Sequence, residues 1–582
     1  MKTPPLGRTP VTTVPPHSAL IDVVVSLCML AIFFAIIKTG TYWMGKPLPA
    51  TEISHSIRAL PLYAFYSVVR ISIAYLLSLI FAVGYGYIAA YNRRAEAWMI
   101  AVLDILQSIP VLSFLPGVML AMMVLIPGHQ MGIELGSILL IFTGQVWNLA
   151  FSFYSSLKSI PREMLEATRI NRFSAWQRFW QLELPFAAIG LIWNSIMSVA
   201  GGWFALIACE TFPLGNQSFR LPGLGSYLQA AAFSNPIDVH ALVWGMVALI
   251  LIIVATDQLI WRPLIAWSNK FKMEQVESSH RISSPILTLL SRPSRVLAIP
   301  QRAWERTNER IYARLARAKS NRMVHSMDTD TLRSNRLLSG ALGCFAVLFV
   351  LWGGWHAWEL VRGATWADLR LLGISAVATW LRVLATLVLA TLWTVPVGVL
   401  IGSNQRMATV LQPITQLVAS IPASAFFPVM MLMLARIGMG LGWGSILLML
   451  LGTQWYILFN VIAGAMAIPS DLKEAATVYH FTRYQRWTKL ILPGIFPYLI
   501  TGLVTASGGA WNASILAEYG LLGSQTFQTI GLGAQITAAL SSNNISTLLL
   551  ATILMAAIVV TTNRLVWRRL YRLAETRYKL EG

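Results

Sequence analysis

Two arginines stand in apolar surroundings where a charge is costly. Arg70 and Arg382 each fall early in a long apolar run, and a glutamate, Glu210 or Glu518, falls late in another. A charge at a bilayer centre costs roughly 2.5–3.5 kcal/mol on insertion scales, so such residues mark candidate sites. Two guanidiniums could bind an oxyanion bidentately. They could equally snorkel to headgroups or pair with Glu210 and Glu518. Ser108 and Ser420 each begin a Ser-Ile-Pro triplet. Their hydroxyls could touch a solute at a helix break, or the break could be a packing kink. Asp104 has Gln416 as its counterpart and is secondary.

Other chemistry is missing from the pattern. Cys28, Cys209 and Cys344 lie in apolar stretches and read as buried hydrophobes. No His/Cys/Asp/Glu cluster has metal-ligand spacing, and no nucleophile–base arrangement is visible, so no catalytic or metal residue is expected. No G-x-x-x-x-G-K-[ST] loop occurs, so the chain itself is not expected to hydrolyse ATP.

The elements that would position these residues are membrane helices. Of 582 residues, 56% are hydrophobic and only 12% charged, about half the charge of a soluble domain. The net charge of +20 fits basic loops on one side of a membrane, not nucleic acid. Apolar runs near 20–43, 63–91, 97–127, 132–157, 185–210 and 240–265, and near 338–361, 374–403, 408–435, 441–466, 493–518 and 545–566, predict twelve transmembrane helices. The prolines of the third spans, Pro110/Pro116 and Pro422/Pro428, are expected to break them. Residues 1–18 read as a disordered tail and 268–336 as a basic linker. The linker contains a helical stretch with Arg302, Arg306, Arg310 and Arg314 at every fourth position, suited to an anionic leaflet or to solvent. Arg93-Arg94, Lys158, Arg262, Arg406, Lys473 and Arg564 follow even-numbered spans, which puts both termini in the cytoplasm.

The two sets of six repeat each other. Ser108-Ile109-Pro110 matches Ser420-Ile421-Pro422, Gly201-x-Trp203 matches Gly509-x-Trp511, and Gly223-Leu224-Gly225 matches Gly531-Leu532-Gly533. An even number of spans per half makes the repeats parallel. The repeat includes a polar stretch, E-A-T-R-I-N-R-F-S-A-W-Q-R-F-W-Q-L-E-L-P at 166–185 and E-A-A-T-V-Y-H-F-T-R-Y-Q-R-W-T-K-L-I-L-P at 474–493. Each reads as two short helices. Pro161 and Pro469 precede the first, Ser174-x-x-Gln177 and Thr482-x-x-Gln485 are capping boxes for the second, and Pro185 and Pro493 should end it.

This stretch resembles the cytoplasmic signature of ABC importer permeases: E-A-A, three residues, Gly, nine residues, I-x-L-P. Glu166, Ala167 and Thr168 with Leu184 and Pro185 match it, as do Glu474, Ala475 and Ala476 with Leu492 and Pro493. Both copies depart at the glycine, where Arg172 and His480 stand; a glycine there gives a sharp turn cheaply. Over roughly 65–270 and 377–578 the chain looks like the nitrate, sulfonate and taurine branch in a fused, duplicated form. The resemblance implies an all-α polytopic membrane protein. Its two permease repeats are 19–267 (core 65–267) and 337–582 (core 377–578), each with a cytoplasmic coupling helix. It also implies two separate ABC ATPase subunits carrying ATP and Mg, and a periplasmic or lipid-anchored solute-binding protein. The chain would sit in a bacterial inner membrane, bind no cofactor of its own, and import a small oxyanion by alternating access. The alternative is a secondary transporter of two six-helix halves driven by an ion gradient; it leaves the doubled signature unexplained.

Overall fold

The computed structural model describes residues 39–45, 52–268 and 365–577, except 109, 215–216, 235–236, 523–524 and 543, together with isolated positions between 354 and 362. The expected tail, the first and seventh spans and the basic linker fall largely or wholly outside the described residues.

The two halves use the same elements in the same order. The first half runs α1 (Leu60–Tyr91), α2 (Arg93–Ser108), α3 (Leu115–Leu125), α4 (Gln130–Lys158), α5 (Arg162–Ile170) and α6 (Ala175–Cys209). It continues through the hairpin β1 (Thr211–Leu214) and β2 (Gln217–Arg220) to α7 (Leu224–Phe233) and α8 (Val239–Ser268). The second half repeats this as α9 (Trp366–Ser403), α10 (Gln405–Ser420), α11 (Ala423–Ile437), α12 (Leu441–Ala467), α13 (Ser470–Val478) and α14 (Arg483–Ala517). The hairpin β3 (Tyr519–Leu522) and β4 (Gln525–Gln528), α15 (Leu532–Ser541) and α16 (Ile545–Ala574) complete it. The protein is an all-α polytopic membrane protein. Among the described residues, eight helices are long and apolar enough to cross a membrane.

Third spans are not among the eight, because each is broken. α2 stops at Ser108 and a 3₁₀ turn over Val111–Phe114 leads into α3, while α10 stops at Ser420 and Pro422 caps α11. Pro116 falls in the first turn of α3, where its missing N–H costs nothing. Pro428 departs from expectation: it lies inside α11 rather than breaking it.

A second departure concerns Pro185 and Pro493. The helix that starts at each capping box does not end at its proline but continues as the fifth span. One π turn precedes each proline, over Phe179–Glu183 and Arg486–Ile491, and the Leu184 and Leu492 N–H groups bond five residues back to the Phe179 and Trp487 carbonyls. Widening the turn by one residue redistributes the carbonyls around a residue that cannot donate. The hairpins β1–β2 and β3–β4 were not anticipated either; each pairs four residues antiparallel.

The chain divides into two compact units, one of 1–42, 160–189 and 258–333 and one of 43–159, 190–257 and 334–582. The second unit contains most of both halves and one continuous apolar core, from Leu112 and Met119 of the first half to Leu448 and Trp511 of the second. Small residues bring its helices close. A Cβ on Gly201 would meet the Gly144 carbonyl at 3.6 Å, and the Asn194 amide donates to Ser152 Oγ at 3.1 Å. Membrane helices without a hydrophobic driving force pack through such contacts.

Candidate functional site

Three features carry candidate chemistry: the repeated polar stretch, a buried ion-pair cluster in each half, and a cavity between the halves.

In the first polar stretch, α5 closes with two backbone bonds. Phe173 N–H donates to the Thr168 carbonyl at 2.9 Å and Arg172 N–H to the Arg169 carbonyl at 3.0 Å. This 6→1 and 5→2 pair is a Schellman motif, which needs a left-handed residue between helix and exit. Arg172 supplies it at φ 54°. The second stretch does the same: Phe481 N–H reaches the Ala476 carbonyl at 3.0 Å, His480 N–H reaches the Thr477 carbonyl at 3.1 Å, and His480 has φ 48°. Among the described residues these are the two non-glycine positions with positive φ. The turn that a glycine would favour is therefore made without one, twice. Ser174 and Thr482 then form full capping boxes with Gln177 and Gln485. Glu166, Ala167, Glu474, Arg172 and His480 are exposed, Ala475, Leu184, Pro185 and Pro493 are half-buried, and Leu492 is exposed. Thr168 and Ala476, two positions after the acids and so about half a helical turn round, are buried.

Sequence reasoning placed Arg70 near Glu210 and Arg382 near Glu518 as one option. The structure pairs them. Arg70 Nη1 donates to Glu210 Oε1 at 2.7 Å and to the Pro222 carbonyl at 2.9 Å. Ser67 Oγ donates to the same Glu210 oxygen at 2.6 Å, and Gly225 N–H donates to Glu210 Oε2 at 2.6 Å. In the second half Arg382 Nη1 donates to Glu518 Oε1 at 3.0 Å and to the Ile530 carbonyl at 2.7 Å. Thr379 Oγ1 and Gly533 N–H complete Glu518 at 2.8 and 2.9 Å. The G-L-G segment thus packs its backbone on a buried carboxylate. A Cβ on Gly223 or Gly531 would collide with that carboxylate, which is why the position is glycine.

The clusters differ in one residue that sequence reasoning missed. Glu134 grips Arg70 through two bonds, Nε to Oε2 at 2.6 Å and Nη2 to Oε1 at 2.7 Å, and is 0% exposed. The corresponding place in the second half is Gly442, whose carbonyl lies 3.4 Å from Arg382 Nε. Having no partner in the repeat, Glu134 gave no repeated signal to notice. Arg70 is 1% exposed and Arg382 14%.

The cavity lies within the larger unit and has a volume of about 730 Å³. Both halves line it, with Trp147 and Asn148 of α4, Trp455 of α12, Asn512 of α14 and Arg564 of α16 among its walls. Arg70, Arg382, Glu210 and Glu518 are not among its lining residues. The side chains of Ser108 and Ser420 lie outside the described set. The residues after them do line the cavity: Val111 on one side, Ile421 and Pro422 on the other. One hydrogen bond joins the halves there, from Val111 N–H to Asn512 Oδ1 at 2.7 Å. On the other side Ser424 Oγ, one residue past the counterpart of Val111, donates to the Phe204 carbonyl at 3.4 Å. Asn512 therefore caps the first turn after the break in the opposite half, a long-range contact that no local pattern announces.

Comparison with known proteins agrees with the doubling. A family model, binding-protein-dependent transport system inner membrane component, matches residues 74–259 and again 394–579, more than half the chain. The bicarbonate transport system permease protein CmpB of Synechococcus elongatus is 28% identical over 190 residues, covering 33% of this chain and 65% of the relative. The nitrate import permease protein NrtB of a Synechocystis strain is 28% identical over 195 residues, 34% of this chain and 67% of the relative. The taurine transport system permease protein TauC of Escherichia coli is 30% identical over 163 residues, 28% of this chain and 55% of the relative. The chain thus spans under two thirds of the length of CmpB and TauC.

Proposed function

The chain belongs to the family of binding-protein-dependent transport system inner membrane components, and from that premise we propose that it is the complete membrane pathway of an ATP-driven importer, both permease halves in one polypeptide. The observation that carries this reading is the doubled Schellman turn. Two polar stretches adopt the same helix, the same left-handed position and the same kind of capping box, each at a cost in backbone strain because the left-handed residue is not glycine. A backbone arrangement kept twice is what two partners of one kind demand. Those partners are two ABC ATPase subunits, which bind ATP and Mg, and each receives one of the helices α5 and α13. Glu166 and Glu474, exposed on those helices, face them.

In this reading both stretches, the linker and both termini face the cytoplasm of a bacterium, and a solute-binding protein delivers substrate from the other side. ATP-driven closure of the ATPases moves the two helices, and the halves swing about the cavity between them. The substrate is a small oxyanion, supported by relatives named for bicarbonate, nitrate and taurine. Arg70 and Arg382 act as structural clamps that tie the second span to the G-L-G segment, not as substrate contacts; Ser108 and Ser420 lie beside the path.

The test is a pull-down of the tagged chain from native membranes with quantitative mass spectrometry. One chain with two ABC ATPase subunits is the expected stoichiometry, and Glu166→Ala with Glu474→Ala should lose them. A folded, active chain with no ATPase would overturn the reading in favour of a gradient-driven transporter.

A further inference from the structure

Among the described side chains, the charge that lines the cavity comes from one half. Arg564 and Arg568 of α16 line it, and among the described residues no Asp, Glu, Lys or His does. Arg564 is exposed and makes no hydrogen bond or ion pair among the described residues. Beside it, Trp567 lines the same cavity with a buried indole N–H that has no acceptor among the described residues. An indole nitrogen can only donate, so this wall offers donors and positive charge together.

The repeat shows that this arrangement is particular to the second half. α8 and α16 start with side-chain caps at Asp238 and Asn544, which fixes their register. Each has a π turn, Asp257–Trp261 in one and Asn563–Trp567 in the other. In that register Asn563 stands where the first half has Asp257, and Arg564 stands where it has Gln258. Two adjacent positions each become one charge more positive. A bias that only placed basic residues on one face of the membrane would act on both halves alike.

We propose that Arg564, with the Trp567 N–H, forms a small-oxyanion site on the cavity wall, and that the second half alone sets the charge selectivity of the path. This rests on the transport reading for its purpose but not for its test. A guanidinium binds a planar or tetrahedral oxyanion through paired, charge-assisted hydrogen bonds, whereas a cation would be repelled. Selection by charge then occurs inside the membrane subunit as well as in any delivery protein.

The experiment uses the purified full-length chain in nanodiscs of zwitterionic lipid. Sodium nitrate replaces sodium gluconate at constant ionic strength, and the thermal unfolding midpoint is followed. The expected result is a saturable rise with nitrate. Arg564→Gln should need about tenfold more nitrate, roughly 1.4 kcal/mol, and Arg564→Lys should fall between. Asn563→Asp, which installs the first-half acid beside the site, should weaken it several-fold and serves if Arg564→Gln does not fold. No saturable effect in the parent chain, or unchanged nitrate dependence in either Arg564→Gln or Asn563→Asp, would overturn the site. Co-purification of ATPases with the same preparation reports separately. Saturable nitrate binding by a chain that recruits none would overturn the importer reading and leave this one standing.

Discussion

Arg172 and His480 hold the same left-handed backbone, φ 54° and 48°, at the same point of two loops in one chain. For an L-residue this conformation costs roughly 1–2 kcal/mol relative to glycine. The conformation is over-determined by the Schellman bonds on either side and by the capping box that follows. Arg172→Gly and His480→Gly should each stabilise the local turn by about 1 kcal/mol, visible as slower amide exchange at Phe173 and Phe481. Replacement by valine, which tolerates this region poorly, should speed exchange there and weaken ATPase recruitment. Faster exchange in the glycine variants would contradict the strain argument.

The two arginine clusters should not respond alike. Removing one partner of a buried pair costs about 3–5 kcal/mol because a buried charge is left uncompensated. Arg70 serves two carboxylates and is 1% exposed; Arg382 serves one and is 14% exposed. Arg70→Met is therefore expected to lower the unfolding midpoint of the purified chain more than Arg382→Met. Adding Glu134→Gln to Arg70→Met should recover part of the loss by removing one stranded charge. Equal effects of the two single variants would show that Glu134 contributes nothing.

Much of this architecture was legible in the sequence, and the legible parts share a cause. Spans are long apolar runs, and the breaks at Pro110 and Pro422 follow from a missing N–H. The ion pairs of Arg70 with Glu210 and Arg382 with Glu518 could be named because a doubled charge in apolar surroundings is conspicuous. What escaped has no repeat or local period behind it. Glu134 corresponds to a glycine, Gly442, in the other half, and Asn512 meets Val111 at a separation of 401 residues. The continuation of α6 and α14 through Pro185 and Pro493 escaped for another reason: a π turn leaves no sequence mark that distinguishes it from a helix end.

Capping of the second short helix should be separable from the turn before it. Ser174 and Thr482 each accept from the N–H three residues on, of Gln177 and Gln485, at 3.2 and 3.3 Å. Loss of such a cap costs about 1 kcal/mol. Ser174→Ala and Thr482→Ala should therefore raise exchange at Gln177 and Gln485 while leaving Phe173 and Phe481 protected. Loss of protection at all four sites would mean that turn and cap form one cooperative unit.

The bond from Val111 N–H to Asn512 Oδ1 ties the break in one half to a helix of the other. Asn512 has Phe204 at its pseudo-equivalent place, so the tie exists on one side of the cavity only. A neutral hydrogen bond of this kind contributes roughly 0.5–1.5 kcal/mol net, and a buried donor left without a partner costs more. Asn512→Leu keeps comparable bulk and removes the acceptor. With spin labels placed on α3 and α14, it should broaden the distance distribution and shift it to longer values. Asn512→Asp keeps an acceptor and should preserve the short distance. Because this tie, at 2.7 Å, is shorter than the Ser424–Phe204 contact at 3.4 Å, Ser424→Ala should change the matching α11-to-α6 distance far less. If Ser424→Ala loosens the halves as much as Asn512→Leu, the closure is symmetric and Asn512 has no special part in it.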